Sequence, residues 1–151
     1  MSYNANTKKR KSTDFIAIHC SATTEKMNIG AADIDKWHRA KGWACIGYHY
    51  VIKRDGTVET GRDDSVVGAH VQGFNEKSLG ICMVGGVSAD DVSKAVNNFT
   101  PAQFASLKKL LVEMKKKYPK AKVQGHRDFP GVAKACPSFS VGDWLKAEKI
   151  L

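Results

Sequence analysis

Phe15-Ile16-Ala17-Ile18-His19 is a compact apolar run that closes on a titratable side chain. Its length and apolar character suit a buried strand. A strand here delivers His19 at its carboxyl end, where α/β sheets place functional groups. Leu79 to Val84 has the same character and stops at Gly85-Gly86, and Lys122 to Gln124 offers a further short strand. Tyr48 to Lys53 and Thr57 to Thr60 flank Asp55-Gly56, residues that tolerate the positive φ of a tight turn, so a hairpin is expected. In that hairpin Tyr48 and Tyr50 share one face and His49 takes the other.

Helical signals alternate with these strands. From Ala31 to about Lys41 the apolar Ile34, Trp37 and Ala40 recur at helical spacing, with Asn28 as a cap and Gly42 as a stop. His38 is expected to face solvent on this helix. Thr100, Pro101 and Gln103 combine capping-box spacing with proline at the first helical position. Behind them Phe104, Leu107, Leu110, Leu111 and Met114 form an apolar stripe that should end before Pro119, with Lys115, Lys116 and Lys117 complementing the carboxyl-end dipole. Ser140 and Asp143 repeat the capping spacing ahead of a last helix through Trp144, Leu145 and Ile150.

The 151 residues are 42% hydrophobic and 26% charged, enough for one core and a wetted surface, and no repeat or linker divides them. The expectation is a single α/β domain over residues 14–151, preceded by a flexible basic arm over residues 1–13 that carries Lys8, Lys9, Arg10 and Lys11. The arm lacks the apolar run of a signal peptide or a membrane span, which places the product first in the cytoplasm. A net charge of +9, much of it on lysines between Lys108 and Lys122, favours an anionic partner without choosing between nucleic acid, an acidic protein and an anionic wall polymer. Cys20, Cys45, Cys82 and Cys136 read as reduced thiols, Cys82 as a small core residue.

The segment from Gly125 to Phe139 contains Pro130 and Pro137 and reads as an irregular loop. It holds two potential metal ligands, His126 and Cys136, ten positions apart. Spacing of that kind is weak by itself.

Six ordered pieces strengthen it: Ile18-His19-Cys20-Ser21-Ala22, Gly47-Tyr48-His49-Tyr50-Val51-Ile52, Asp55-Gly56-Thr57, Gly61-Arg62, Ser78-Leu79-Gly80-Ile81-Cys82, and Gly125-His126-Arg127-Asp128 leading to Ala135-Cys136-Pro137-Ser138-Phe139. In this order, from about Asp14 to Trp144, the chain resembles the zinc-dependent N-acetylmuramoyl-L-alanine amidases, whose phage branch shares its fold with the peptidoglycan-recognition proteins. The resemblance implies a mixed central β-sheet flanked by helices, with the zinc site in a surface groove. It implies one zinc ion per chain on His19, His126 and Cys136, and catalytic roles for Tyr48 and Lys134. Cys136 stands where many bacterial relatives have aspartate; a thiolate donates more charge to zinc and leaves more of the charge stabilisation to neighbouring groups. The HExxH motif that supplies a glutamate base in many zinc proteases is absent. His70 and Asn75 are candidates for the substrate groove.

The implied activity is that of a phage endolysin. It hydrolyses the amide bond between N-acetylmuramic acid and L-alanine in peptidoglycan, is made in the host cytoplasm and reaches the wall through a separate holin. The expected state is a monomer, without a membrane span and without direct nucleic-acid binding. Restraint of phage RNA polymerase is a second role that the resemblance brings with it. Two alternatives stay open at this point: a non-catalytic peptidoglycan-binding or polymerase-regulating protein, and a structural zinc site closed by Cys20, Asp128 or a nearby histidine.

Overall fold

β1 (Phe15–Cys20) lies inside a five-stranded sheet, between β4 (Ser78–Met83) and β5 (Lys122–Gly125) and parallel to both. The short β2 (Tyr50–Ile52) pairs in parallel with the other edge of β4, and β3 (Val58–Thr60) closes the sheet antiparallel to β2, giving the order β3-β2-β4-β1-β5. The sheet is therefore mixed, as expected. The computed structural model describes residues 8–132 and 135–150.

Three helices cover the sheet: α1 (Ala31–Ala40), α2 (Pro101–Lys117) and α3 (Val141–Glu148). Strand alternation divides the core between the faces. Ile16, Ile18 and Cys20 point to one face, where they meet Leu107, Leu111 and Met114 of α2 and Leu145 of α3. Ala17 points to the other, against Val71 and Phe129, and the rings of Phe15, Phe74 and Phe129 lie edge-on within 5.1–5.5 Å of one another. Ile34 of α1 packs with Ile46, Val51 and Cys82 in a separate cluster. Burying each Leu or Ile stabilises the fold by roughly 1.5–3 kcal/mol, so α2 is the main clamp on the sheet.

The start of α2 is built as its sequence indicates. Thr100 Oγ1 accepts from the Gln103 N–H at 3.1 Å, and Gln103 Oε1 accepts from the Thr100 N–H at 2.9 Å. The Gln103 amide also donates to the Ile52 and Val84 carbonyls, tying the helix start to the ends of β2 and β4. The hairpin forms too, with Gly56 at φ +90°.

Three local readings change. The buried face of α1 is Ala31, Ile34, Asp35 and His38, while Trp37 and Ala40 are exposed. Asp35 and His38 can be buried because the backbone of the following loop satisfies them: Asp35 Oδ1 accepts from the Ile46 N–H and His38 Nδ1 from the Gly47 N–H. The helix is preceded by Gly30 rather than capped from Asn28, with Asp33 accepting from the Gly30 N–H and Glu59 from the Ala31 N–H. Tyr48 precedes the β2 ladder and packs toward α1, whereas Tyr50 faces the α2 side, so the two tyrosines do not share a face.

Lys8 to Thr13, within the segment expected to be a flexible arm, lie against the body. Lys8 O accepts from the Val67 N–H at 2.7 Å, the Arg10 N–H donates to Ser65 O, and the Arg10 guanidinium donates to Asp64 O. Among the described residues no helix is long and apolar enough to cross a membrane.

Candidate metal centre

The parallel register of β1 and β5 assembles the first half of the site. Ile18 pairs with Gly125, so His19, near the carboxyl end of β1, stands beside His126, the first residue after β5, which opens a short 3-10 turn. Their ring centroids are 4.5 Å apart. Two residues more than a hundred positions apart in sequence thus become neighbours through a register that neither encodes.

Cys136 arrives on the loop after β5, which is tied down at Arg127, Cys136 and Ser138. The Arg127 N–H donates to Cys136 O at 2.8 Å, the Ser138 hydroxyl donates to Gly86 O at 2.9 Å, and the Cys20 N–H donates to Cys136 Sγ at 3.0 Å. That last bond stabilises negative charge on sulfur, as a thiolate ligand requires. All four cysteines are unbridged. Without a cation, the hydrogen bond to Cys20 and burial push the Cys136 thiol up, while the same contact draws Cys20 down to about 7, so the pair resists losing a second proton. A coordinating cation inverts that preference at Cys136.

The donor set suits zinc. One ligand atom each from His19, His126 and Cys136 lie within 4.8 Å of one another. Tetrahedral zinc with ordinary bond lengths holds a nitrogen and a sulfur ligand about 3.6 Å apart, and His19 Nδ1 stands 4.0 Å from Cys136 Sγ. Closing by a few tenths of an ångström brings that pair to zinc-ligand spacing, and His126 offers the third donor within the same 4.8 Å. Two imidazoles and one thiolate also leave the fourth position that a catalytic zinc keeps open.

Tyr48 lies beside the cluster, its ring 5.0 Å from that of His19. Burial, followed by the nearby thiols of Cys82, Cys136 and Cys20, holds its pKa well above the usual 10, so it stays a phenol and a hydrogen-bond donor. Lys134, the other catalytic candidate, lies outside the described residues. His70 and Asn75 are both at the groove. His70 borders a cavity of about 300 Å³ that contains the His19, His126 and Cys136 side chains, and both line an adjoining cavity of about 680 Å³. His70 is nevertheless buried, and Asn75 Oδ1 is occupied by the backbone N–H groups of His70 and Val71 at 2.9 Å each.

A further part of the cavity wall is made by Trp37, His38, Lys41 and Trp43. His38 is buried against Trp43, not solvent-facing, and burial lowers its pKa to about 4, so it is neutral. Sequence reading missed this wall because Trp37 fits an apolar stripe. The available signal was a pair of tryptophans bracketing a helix end at Gly42, where two large rings have little helix left to pack against.

The N-acetylmuramoyl-L-alanine amidase family matches residues 9–139. The chain belongs to that family. It is 47% identical over 144 residues to the endolysin of Escherichia phage T7, an alignment covering 95% of this chain and 93% of that relative. Among solved structures, the N-acetylmuramoyl-L-alanine amidase LysC from Clostridium intestinale URNW superposes with a TM-score of 0.74 at 30% identity, covering 98% of this chain and 88% of that one. Drosophila PGRP-LB shares the fold, with a TM-score of 0.76 at 23% identity and coverage of 95% and 86%. The amidase motifs found in the sequence lie on the elements just described: the strand end with His19, the segment before β2 with Tyr48, and the β5 loop with His126 and Cys136.

Proposed function

We propose that this chain is a zinc-dependent N-acetylmuramoyl-L-alanine amidase of the phage endolysin kind, which cuts the bond between the lactyl group of muramic acid and the first L-alanine of the stem peptide. The observation that carries the reading is the convergence of His19, His126 and Cys136, with a protonated tyrosine beside them, at the floor of an open groove. Synthesis in the host cytoplasm and delivery through a separate holin belong to the same proposal, supported by relatedness to phage endolysins.

Bound by those three residues, zinc supplies Lewis acidity toward the scissile carbonyl and makes a water molecule acidic enough to act as nucleophile near neutral pH. The chain's own groups do the rest. Tyr48 keeps its proton and can donate a hydrogen bond to the oxygen that becomes negative as the carbonyl turns tetrahedral. Lys134 is proposed to add positive charge to that oxyanion or to hand a proton to the departing alanine nitrogen. Trp37 and Trp43, both partly exposed, line the groove in which a sugar ring or a stem peptide can lie while the amide is held over the ligands.

Metal content and turbidity measurements test the reading together. Purified protein should carry one zinc per chain and clear a peptidoglycan suspension, and a chelator should abolish clearing until zinc is restored. Absence of zinc, or clearing that survives chelation, removes the proposal.

A further inference from the structure

His19 presents its two ring nitrogens to different surroundings. Nδ1 is turned toward Cys136 Sγ, 4.0 Å away, and Nε2 lies 2.9 Å from Nδ1 of His70. When two neutral imidazoles meet nitrogen to nitrogen, one donates and the other accepts. Which does which is set at the far side of His70.

There, His70 Nε2 lies 3.3 Å from Ser78 Oγ. The serine hydroxyl has a single proton, and it is directed at the Phe74 carbonyl 2.8 Å away, a group that can only accept. Ser78 Oγ therefore accepts from His70, whose proton sits on Nε2. His70 Nδ1 is then an acceptor and His19 Nε2 the donor, which leaves His19 Nδ1 unprotonated on the side of Cys136.

The His70 ring is held in this pose from several directions. Its backbone N–H and that of Val71 both donate to Asn75 Oδ1. Gly80 and Gly68 flank the ring so closely that a Cβ would stand 2.7 Å from it at Gly80 and 2.6 Å from it at Gly68. Close approach to the ring requires glycine at both positions, since any side chain there would push the ring out of its place.

We propose that His70 and Ser78 are positioning residues for the metal site: the chain from the Phe74 carbonyl through Ser78 and His70 to His19 fixes the tautomer and orientation in which His19 offers Nδ1 as a ligand. The inference rests on the zinc reading above and assigns His70 a task that lining the groove does not require. Outer partners of this kind typically change metal affinity by about 10–100-fold when removed.

Two measurements on the full chain test it. In metal-free protein, long-range proton–nitrogen NMR should show both His19 and His70 protonated at Nε2; a proton on His70 Nδ1 overturns the inference. Zinc affinity, read by competition with a chromogenic chelator, should fall about 10–100-fold in His70→Leu and by less in Ser78→Ala. It should recover in His70→Gln, which can accept from His19 and donate to Ser78. Folded His70→Leu and Ser78→Ala proteins that both bind zinc like the wild type overturn the inference. Should His70→Leu fail to fold, Ser78→Ala and the NMR measurement decide. Wild-type protein that binds no zinc overturns the metal reading itself, an outcome distinct from zinc binding with the opposite His70 tautomer.

Discussion

His49 offers a clean test of how burial sets the acid limit of this fold. It is fully buried, Nδ1 accepts from the Gly80 N–H at 3.0 Å, and Nε2 donates to Val66 O at 2.7 Å. Protonation would turn Nδ1 into a donor facing a donor, at a position closed to water. Burial chiefly pulls the pKa from its ordinary 6.5 down to about 4. Between these values the unfolded chain binds a proton that the folded chain refuses, so stability falls as pH falls. The contribution is intact above pH 6.5, declines by up to about 1.4 kcal/mol per pH unit, and levels off below pH 4 after a loss of about 3 kcal/mol. The assay is urea unfolding of chelated protein at intervals from about pH 7 to about pH 4, wild type against His49→Gln, whose amide can reach both partners without titrating. The difference between the two curves should grow with acidity over that window. Parallel curves would show that His49 does not hold the depressed value and that its buried hydrogen bonds do not set the acid limit.

Cys136→Ser should lose stoichiometric zinc, measured by elemental analysis, because the hydroxyl of serine stays protonated at neutral pH and is a poor ligand. Tyr48→Phe and Lys134→Ala should keep zinc and lose roughly 10²–10⁴-fold in turnover, as removal of a proton-transfer or oxyanion-stabilising group does; zinc loss in either would mean that it supports the metal rather than the chemistry. Leu107→Ala, in the centre of the α2–sheet interface at 0% exposure, should cost about 2–5 kcal/mol in urea unfolding, and a cost under about 1 kcal/mol would show that α2 is not the main clamp.

What could be read from sequence follows how local the encoding is. The start of α2 was legible because Thr100, Pro101 and Gln103 carry both halves of the cap within four residues, and the hairpin because Asp55-Gly56 demands a particular backbone. The strand Phe15 to His19 was legible from apolar content alone. The buried face of α1 was not: Asp35 and His38 look like surface residues until the Ile46 and Gly47 N–H groups, brought in by a later loop, satisfy them. Tyr48 escaped the strand alternation because it lies ahead of the β2 ladder.

The site divides the same way. His126 and Cys136 sit on one loop and invited only a weak metal reading, while His19 joins them through the β1–β5 register, which no local pattern states. The ordered family motifs carried that long-range information. They did not carry the use made of His70, which depends on the slot between Gly68 and Gly80 and on a serine hydroxyl committed elsewhere.

The reaction proposed for this groove is the zinc-assisted cleavage of one wall bond. Its most direct test is to digest purified peptidoglycan and count new alanine amino termini against new reducing sugar ends, with native, chelated and zinc-restored protein. Alanine termini should appear with native protein, vanish on chelation and return with zinc, with no rise in reducing ends. New reducing ends in place of alanine termini, or alanine termini indifferent to chelation, would contradict it.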